Sequence, residues 1–299
     1  MFFRDRTLAA EILSRPRDPH MEAMITGYVD EAAKIAHNAP SVVLPDVTGR
    51  SAKSDEQRLH VVEGDLLLDD DELVAYAARN APRPLIPNSP LGDSGLVGFE
   101  TEGAATRWDE GTVLRYSVMR RSFLREADYR RAARNLRAAA DDWEEVCGVR
   151  FEHVDSFDDH DDIARPASEF RDDLVFTARL QDQGGTLIAA AFFPTQPPPR
   201  RKVIFDSSYF RPGLRFNRVG VLRHELGHVL GFRHEHIRSG APAECPGDTE
   251  DVTLFPFGDY DPRSVMHYFC GGVGNPRLTL SVSDKKGARQ LYGPPLSTR

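Results

Sequence analysis

The sequence predicts an α+β fold in a chain of 299 residues, and three observations lead to this prediction. A chain of this length is expected to form about two domains, and it is long enough to bury a large core. One long helix pattern crosses a region of several strand patterns, and further helix patterns follow it. A dense run of Pro and Gly between 81 and 111 separates two differently patterned parts. We therefore expect an N-terminal segment with its linker over 1–103 and a main domain over 104–299.

The elements follow from the spacing of apolar residues. In the N-terminal segment we predict two helices and one strand, at about 6–14, 20–36 and 60–68. In the main domain we predict strands at 113–119, 150–154, 174–180, 186–193 and 202–205. A long amphipathic helix is expected at about 125–146, a second at 217–230 ended by Gly231, and a last one at 284–292 capped by Ser283 and closed by Gly293.

Composition excludes several classes of protein. The net charge is 38 − 46 = −8, so the basic face that binds nucleic acid is not expected. The longest strictly apolar run, 187–193, is far shorter than the roughly 20 residues of a membrane helix. Charged residues interrupt the apolar N-terminus, whereas a secretory signal has a basic region followed by a continuous apolar region. The sequence leaves the compartment, the export route and the oligomeric state open.

One motif carries chemistry: residues 224–236 read His-Glu-Leu-Gly-His-Val-Leu-Gly-Phe-Arg-His-Glu-His. On a helix, His224 and His228 share one face, so both imidazoles can bind one metal ion. Gly231 can end that helix and turn the chain back, which brings His234 to a third position. Three ligands with a fourth position open to water are typical of a catalytic zinc site. Glu225, beside the metal rather than on it, can act as the general base toward a zinc-activated water.

The motif resembles the elongated zinc motif of the metzincin metalloendopeptidases. Downstream, Ser264-Val265-Met266-His267-Tyr268 is similar to the Met-turn of the astacin branch. The resemblance implies that Met266 lies beneath the metal and that Tyr268 is an additional, displaceable ligand that stabilises the oxyanion. It also implies that Glu235 contacts the new N-terminus of a matured enzyme. The implied fold is a metzincin-type domain with a twisted mixed sheet, a long helix, a zinc helix and an irregular C-terminal part.

Two further segments resemble parts of the same family. The stretch 184–194 with 203–206 is similar to the edge-strand region of matrixins, which pairs with an extended peptide. Ala189-Ala190-Ala191 stands where matrixins place a His ligand of a second zinc, so we expect one zinc per chain. The stretch 62–68 resembles the astacin pro-segment motif, in which the Asp, here Asp65, binds the zinc and keeps the zymogen silent. The alternative is an ordinary Gly-Asp turn.

The cysteines and the acidic run are less specific. Cys245 and Cys270 flank the Met-turn region, and either a disulfide or two free thiols fits the sequence. Cys147 is expected to be a small buried residue. The run 155–162 holds five Asp residues and is expected to be a solvated loop, with calcium binding as the alternative.

We therefore expect a zinc-dependent metalloendopeptidase that hydrolyses peptide bonds of polypeptide substrates. The alternatives are a catalytically silent zinc protein that binds peptides and a structural zinc module serving the N-terminal part. The intact Glu225 and Tyr268 argue against the silent protein. A structural site needs a fourth side-chain ligand, for which His236 and His267 are the candidates.

Overall fold

The structure is a computed structural model. It describes residues 19–39, 41–45, 56–62, 65–70, 73–74, 76–77, 96–101, 104–160, 174–245 and 254–296. The helix predicted at about 6–14 and most of the Pro/Gly linker lie outside these residues. Among the described residues, no helix combines the length and apolar content needed to cross a membrane.

The N-terminal segment contains helix α1 (Pro19–Asn38) and strands β1 (Ser41–Pro45), β2 (Glu56–Val62) and β3 (Leu66–Leu68). The three strands form an antiparallel sheet in chain order. The single strand predicted at 60–68 is therefore wrong: the chain reverses between β2 and β3, and Asp65 lies in the turn. Both arms are rich in Val and Leu, and the prediction continued the strand through Glu63-Gly64-Asp65, although a Gly-Asp pair is typical of turns.

Strands β4 (Val97–Thr101) and β5 (Ala104–Ala105) follow, and β4 pairs with β11 (Leu254–Pro256) near the end of the chain. Leu96, directly before β4, is fully buried in the core of the main domain. Residues 96–101 and 104–105 are thus held to the main domain by backbone pairing and by packing.

The main sheet has five strands in the order β7-β6-β8-β10-β9. The strands are β6 (Val113–Val118), β7 (Arg150–His153), β8 (Phe176–Leu180), β9 (Ala189–Ala190) and β10 (Lys202–Phe205). Only β9, at the edge, is antiparallel to its neighbour. With helices α2 (Glu126–Glu144), α3 (Arg218–Val229) and α4 (Val282–Tyr292), this mixed sheet confirms the α+β class.

Helix α2 joins the sheet to α3. Its predicted apolar face is buried, and Trp143 near its end is fully buried. The indole of Trp143 donates to the carbonyl of Arg223 at 2.9 Å and stacks on Phe232 at 5.6 Å. This packing fixes α3 and the turn after it, where the motif histidines lie.

Two predicted elements have different bounds. The strand expected at 186–193 is limited to β9, because Leu187, Phe192 and Phe193 are buried by side-chain packing rather than by strand pairing. An apolar run indicates burial, not backbone conformation. The cap expected at Ser283 is also wrong: Ser281 caps α4, with its hydroxyl accepting from the Asp284 N–H and the Asp284 carboxylate accepting from the Ser281 N–H.

The acidic run is not simply a solvated loop, because Asp158 within it is fully buried. Its carboxylate accepts hydrogen bonds from Ser117 Oγ and Tyr129 Oη, both at 2.6 Å, and from the Val118 N–H at 2.9 Å. His153 Nε2 lies 3.0 Å away. Burial alone would raise the pKa of Asp158, but these hydrogen bonds outweigh it and lower the pKa below its ordinary value.

This lowered pKa predicts a pH-dependent contribution to stability. Ionised Asp158 favours the folded chain, so its contribution is complete above the unfolded carboxyl pKa near 4 and is lost as the pH falls through the folded value. Asp158→Asn should lower the free energy of unfolding by roughly 1–3 kcal/mol at pH 7 and by less near pH 3. Urea unfolding at both pH values measures this. Asp159→Asn, at an exposed ion pair with Arg120, is the matched control and should change little. An Asp158 effect independent of pH would contradict the linkage.

Candidate metal centre

Helix α3 and the turn after it bring the three motif histidines together. The Asn217 side chain caps α3 by accepting from the Gly220 N–H at 2.8 Å. Gly231 follows the helix with a φ of +93°, and a Cβ there would collide with the Thr106 carbonyl oxygen. Only glycine combines this left-handed backbone with so close an approach. The chain therefore reverses at this point and places His234 opposite the helix.

The three Nε2 atoms form a compact cluster. His234 Nε2 lies 3.2 Å from His224 Nε2 and 3.2 Å from His228 Nε2. A tetrahedral zinc ion with Zn–N distances of about 2.0–2.1 Å separates its ligands by about 3.3–3.4 Å, so the cluster fits that ion.

The protein also orients the rings for a metal. His224 Nδ1 donates to the Val265 carbonyl oxygen and His228 Nδ1 donates to the Phe232 carbonyl oxygen, each at 2.8 Å. Both tautomers are thereby fixed with the Nε2 lone pair directed into the cluster. Burial, the largest cause, lowers the pKa of His228 to about 4. The ring is neutral at pH 7, as a metal ligand must be.

Asp65 joins the three histidines in one group of four candidate metal ligands. Its carboxylate oxygens lie 3.1 Å from His234 Nε2, 3.2 Å from His224 Nε2 and 3.6 Å from His228 Nε2. Candidate ligand atoms of the four residues all lie within 4.8 Å of one another, and all four residues are buried. No second group of this kind occurs in the part of the chain that the structure describes. Burial would raise the pKa of Asp65, but the surrounding histidines hold it well below its ordinary value.

Glu225 lies in the same pocket with different chemistry. The residue is buried, and its Oε2 atom has no hydrogen-bond partner. Burial, and then the charge of Asp65, raise the pKa of Glu225 well above its ordinary value. An unpartnered carboxylate oxygen beside a group of candidate metal ligands is able to accept a proton.

Met266 forms the floor beneath α3. It is fully buried, and a Cβ at Gly227 would collide with its sulfur. The turn that carries it is held by Asp284, whose carboxylate accepts from Ser264 Oγ at 2.6 Å and from the Val265 N–H at 2.7 Å. This contact could not be read from the sequence, in which Asp284 is expected only as the first residue of the last helix.

Tyr268 and Glu235 lie on either side of this turn. The Tyr268 ring centroid is 4.6 Å from that of His234 and 5.8 Å from that of His224. Glu235 donates its N–H to the Met266 carbonyl oxygen, and its carboxylate accepts from Arg238 Nη1 and the Asp261 N–H, both at 2.8 Å. In this uncut chain Glu235 thus has an arginine partner three residues away.

A disulfide joins Cys245 to Cys270, with the Cα atoms 5.0 Å apart, which decides between the two alternatives left by the sequence. It connects the loop after the histidine motif to the segment after Tyr268. Cys147 is a free, buried thiol. Sequence reasoning also missed Phe193, whose ring lies 5.4 Å from that of His228, because it was assigned to a strand.

Comparison with known proteins gives consistent results. Residues 107–241 match the Matrixin family profile. The zinc metalloproteinase nas-3 of Caenorhabditis elegans is 34% identical over 88 residues, which are 26% of this chain and 30% of that protein. Stromelysin-3 of Xenopus laevis is 28% identical over 236 residues, 75% of this chain and 41% of that protein. The chain thus spans less than half the length of these curated relatives. The structure of myroilysin is similar with a TM-score of 0.43 and 17% identity, over 64% of this chain and 97% of myroilysin.

The cluster geometry predicts one zinc ion per chain. His228→Ala removes one of three imidazole ligands and should lose most of the bound zinc, as measured by elemental analysis of the purified protein. His37→Ala, on the exposed surface of α1, is the control and should retain it. A tightly held second zinc that survives His228→Ala would show that another site exists.

Proposed function

We infer that this chain, which belongs to the metzincin zinc metallopeptidases, hydrolyses peptide bonds of polypeptide substrates as an endopeptidase and is held latent by its N-terminal segment. One observation carries the proposal: three buried histidines surround a point beside an unpartnered Glu225 carboxylate oxygen. A structural zinc module has no use for such a carboxylate. A zinc-binding protein that only binds peptides has no use for it either.

His224, His228 and His234 are the proposed zinc ligands. Zinc held there would polarise the scissile carbonyl and lower the pKa of water toward about 7. Glu225 takes a proton from the attacking water and delivers it to the leaving amine. The aromatic ring of Tyr268 beside His234 supports a role for its hydroxyl as a donor to the developing oxyanion, as in the astacin branch. An extended polypeptide would pair with the edge strand β9.

The general-base role predicts a loss of turnover without a loss of metal. Glu225→Gln keeps the shape of the side chain but cannot accept the proton, so kcat of the activated enzyme should fall by about 10²–10⁴-fold. Zinc content should stay at one per chain, because Glu225 is not a ligand. Tyr268→Phe should lower kcat with little change in KM. Both are measured on an unstructured protein substrate with and without a chelator, and normal cleavage by Glu225→Gln would refute the mechanism.

Asp65 is the proposed latency ligand. A carboxylate can bind zinc at about 2.0–2.2 Å, and the distances of 3.1–3.6 Å from Asp65 to the three Nε2 atoms support a shared metal. In that position the carboxylate takes the place that water and the scissile carbonyl need. Residues 1–103 would then act as a pro-segment, removed or displaced before catalysis.

The latency proposal predicts a gain of activity. Asp65→Ala in the full chain should cleave a short peptide at least tenfold faster than the parent chain, because the fourth zinc position becomes open to water. Asp70→Ala, an exposed acid in the same segment, is the control and should leave the rate unchanged. Equal rates for the parent chain and Asp65→Ala would favour a permanent accessory domain with an ordinary turn at Asp65.

A further inference from the structure

The outer face of the main sheet carries an apolar patch at its β9–β10 edge. Ala190 and Ile204 are direct cross-strand partners, so their side chains lie on the same face of the sheet. The neighbouring residues of β10, Val203 and Phe205, point to the opposite face and belong to the main core. Leu187 extends the patch next to β9. A patch of this kind does not remain open to water on a stable protein without a reason.

The hairpin of β2 and β3 covers this patch. Leu59 and Val61 alternate on one face of β2, and Val61 is registered with Leu67 of β3. These three side chains are nearly fully buried and pack with Leu187, Ala190 and Ile204 as one cluster. The opposite face of the hairpin packs against α1 and against residues 73–74 and 76–77 of its own segment.

Polar contacts surround the apolar cluster. Arg200 of the main domain forms an ion pair with Asp69, directly after β3, and Gln196 Nε2 donates to the Leu67 carbonyl oxygen at 3.4 Å. The Arg233 guanidinium lies over the Tyr76 ring and donates to its hydroxyl at 3.4 Å. None of these contacts involves Asp65 or a histidine.

Phe193 connects this surface to the metal centre. It packs with Val62, Leu68 and Tyr76 of the N-terminal segment. On its other side its ring meets that of His228, with centroids 5.4 Å apart. The hairpin that delivers Asp65 is therefore fixed on a second surface beside the histidines.

We propose that Leu187, Ala190, Phe193, Arg200 and Ile204 form a docking surface that binds the N-terminal hairpin independently of Asp65 and of the connecting chain. Cutting the chain between the hairpin and the main domain removes only the high effective concentration of the hairpin that covalent tethering supplies. The hairpin then stays bound through its own apolar face and the Asp69–Arg200 pair. The proposal rests on the proposed function only for its consequence. One cut leaves Asp65 at the metal site, so activation of the parent chain needs a second event that removes the segment.

The test uses the full chain with a specific protease site inserted within 81–95, in a Glu225→Gln background that avoids self-cleavage. After the cut, both fragments should elute together in size-exclusion chromatography at about 10 µM, with zinc retained. Adding Asp65→Ala should leave them together. Asp69→Arg should raise the dissociation constant of the two fragments at least tenfold, since it places two cations side by side. Asp70→Arg is the matched control, because Asp70 pairs with His60 of its own segment.

The charge exchange Asp69→Arg with Arg200→Asp should restore association, which separates docking from misfolding of the hairpin. The proposal is overturned if the parental fragments separate at this concentration, if Asp65→Ala alone releases the segment, or if the charge exchange does not rescue binding. The experiment measures association of the two fragments in an inactive background, so its result does not depend on peptidase activity. If the fragments dock, but the cut chain with Glu225 restored still fails to cleave after Asp69→Arg has released the segment, the proposed function alone is refuted.

Discussion

The rest of the site depends on three imidazole Nε2 atoms that are held at the distance expected between ligands of one zinc ion. Two come from one helix and need only helical periodicity, but the third requires the chain to reverse within three residues of the helix end. Gly231 permits this because it has a left-handed backbone and no side chain against Thr106. The carbonyl oxygens of Val265 and Phe232 then fix two of the rings. The Met266 turn and the last helix are arranged around these contacts.

Burial gives two carboxylates in this pocket opposite properties. Asp65 faces the three histidines, and their attraction holds its pKa low in spite of desolvation. The Oε2 atom of Glu225 has no hydrogen-bond partner among the described residues, and burial and the charge of Asp65 raise the pKa of this carboxyl. The two carboxylates thus differ in chemistry because of their partners. One suits a ligand and the other suits a proton acceptor.

The N-terminal segment is part of the same physical arrangement. The main sheet has its core on one face, and the edge of its other face is covered by the hairpin. The contact that buries the apolar patch also sets the position of the turn that carries Asp65. The segment therefore reaches the histidines as a packed unit rather than as a loose chain. The sequence of 62–68 does not predict the contact between the hairpin and the main sheet.

The sequence by itself determined the histidine motif, the amphipathic face of α2, the α+β class and the identity of the Met266 turn. The first three depend on local spacing, which helical periodicity converts directly into geometry, whereas the Met266 turn follows from its resemblance to the astacin branch. Tertiary structure alone decided the burial of Asp158 and the shortness of β9. It also decided the contact of Asp284 with the Met266 turn and the meeting of Asp65 with His224, 159 residues later in the chain. Such contacts join distant parts of the chain, and the local pattern of one segment carries no information about which partner it will meet.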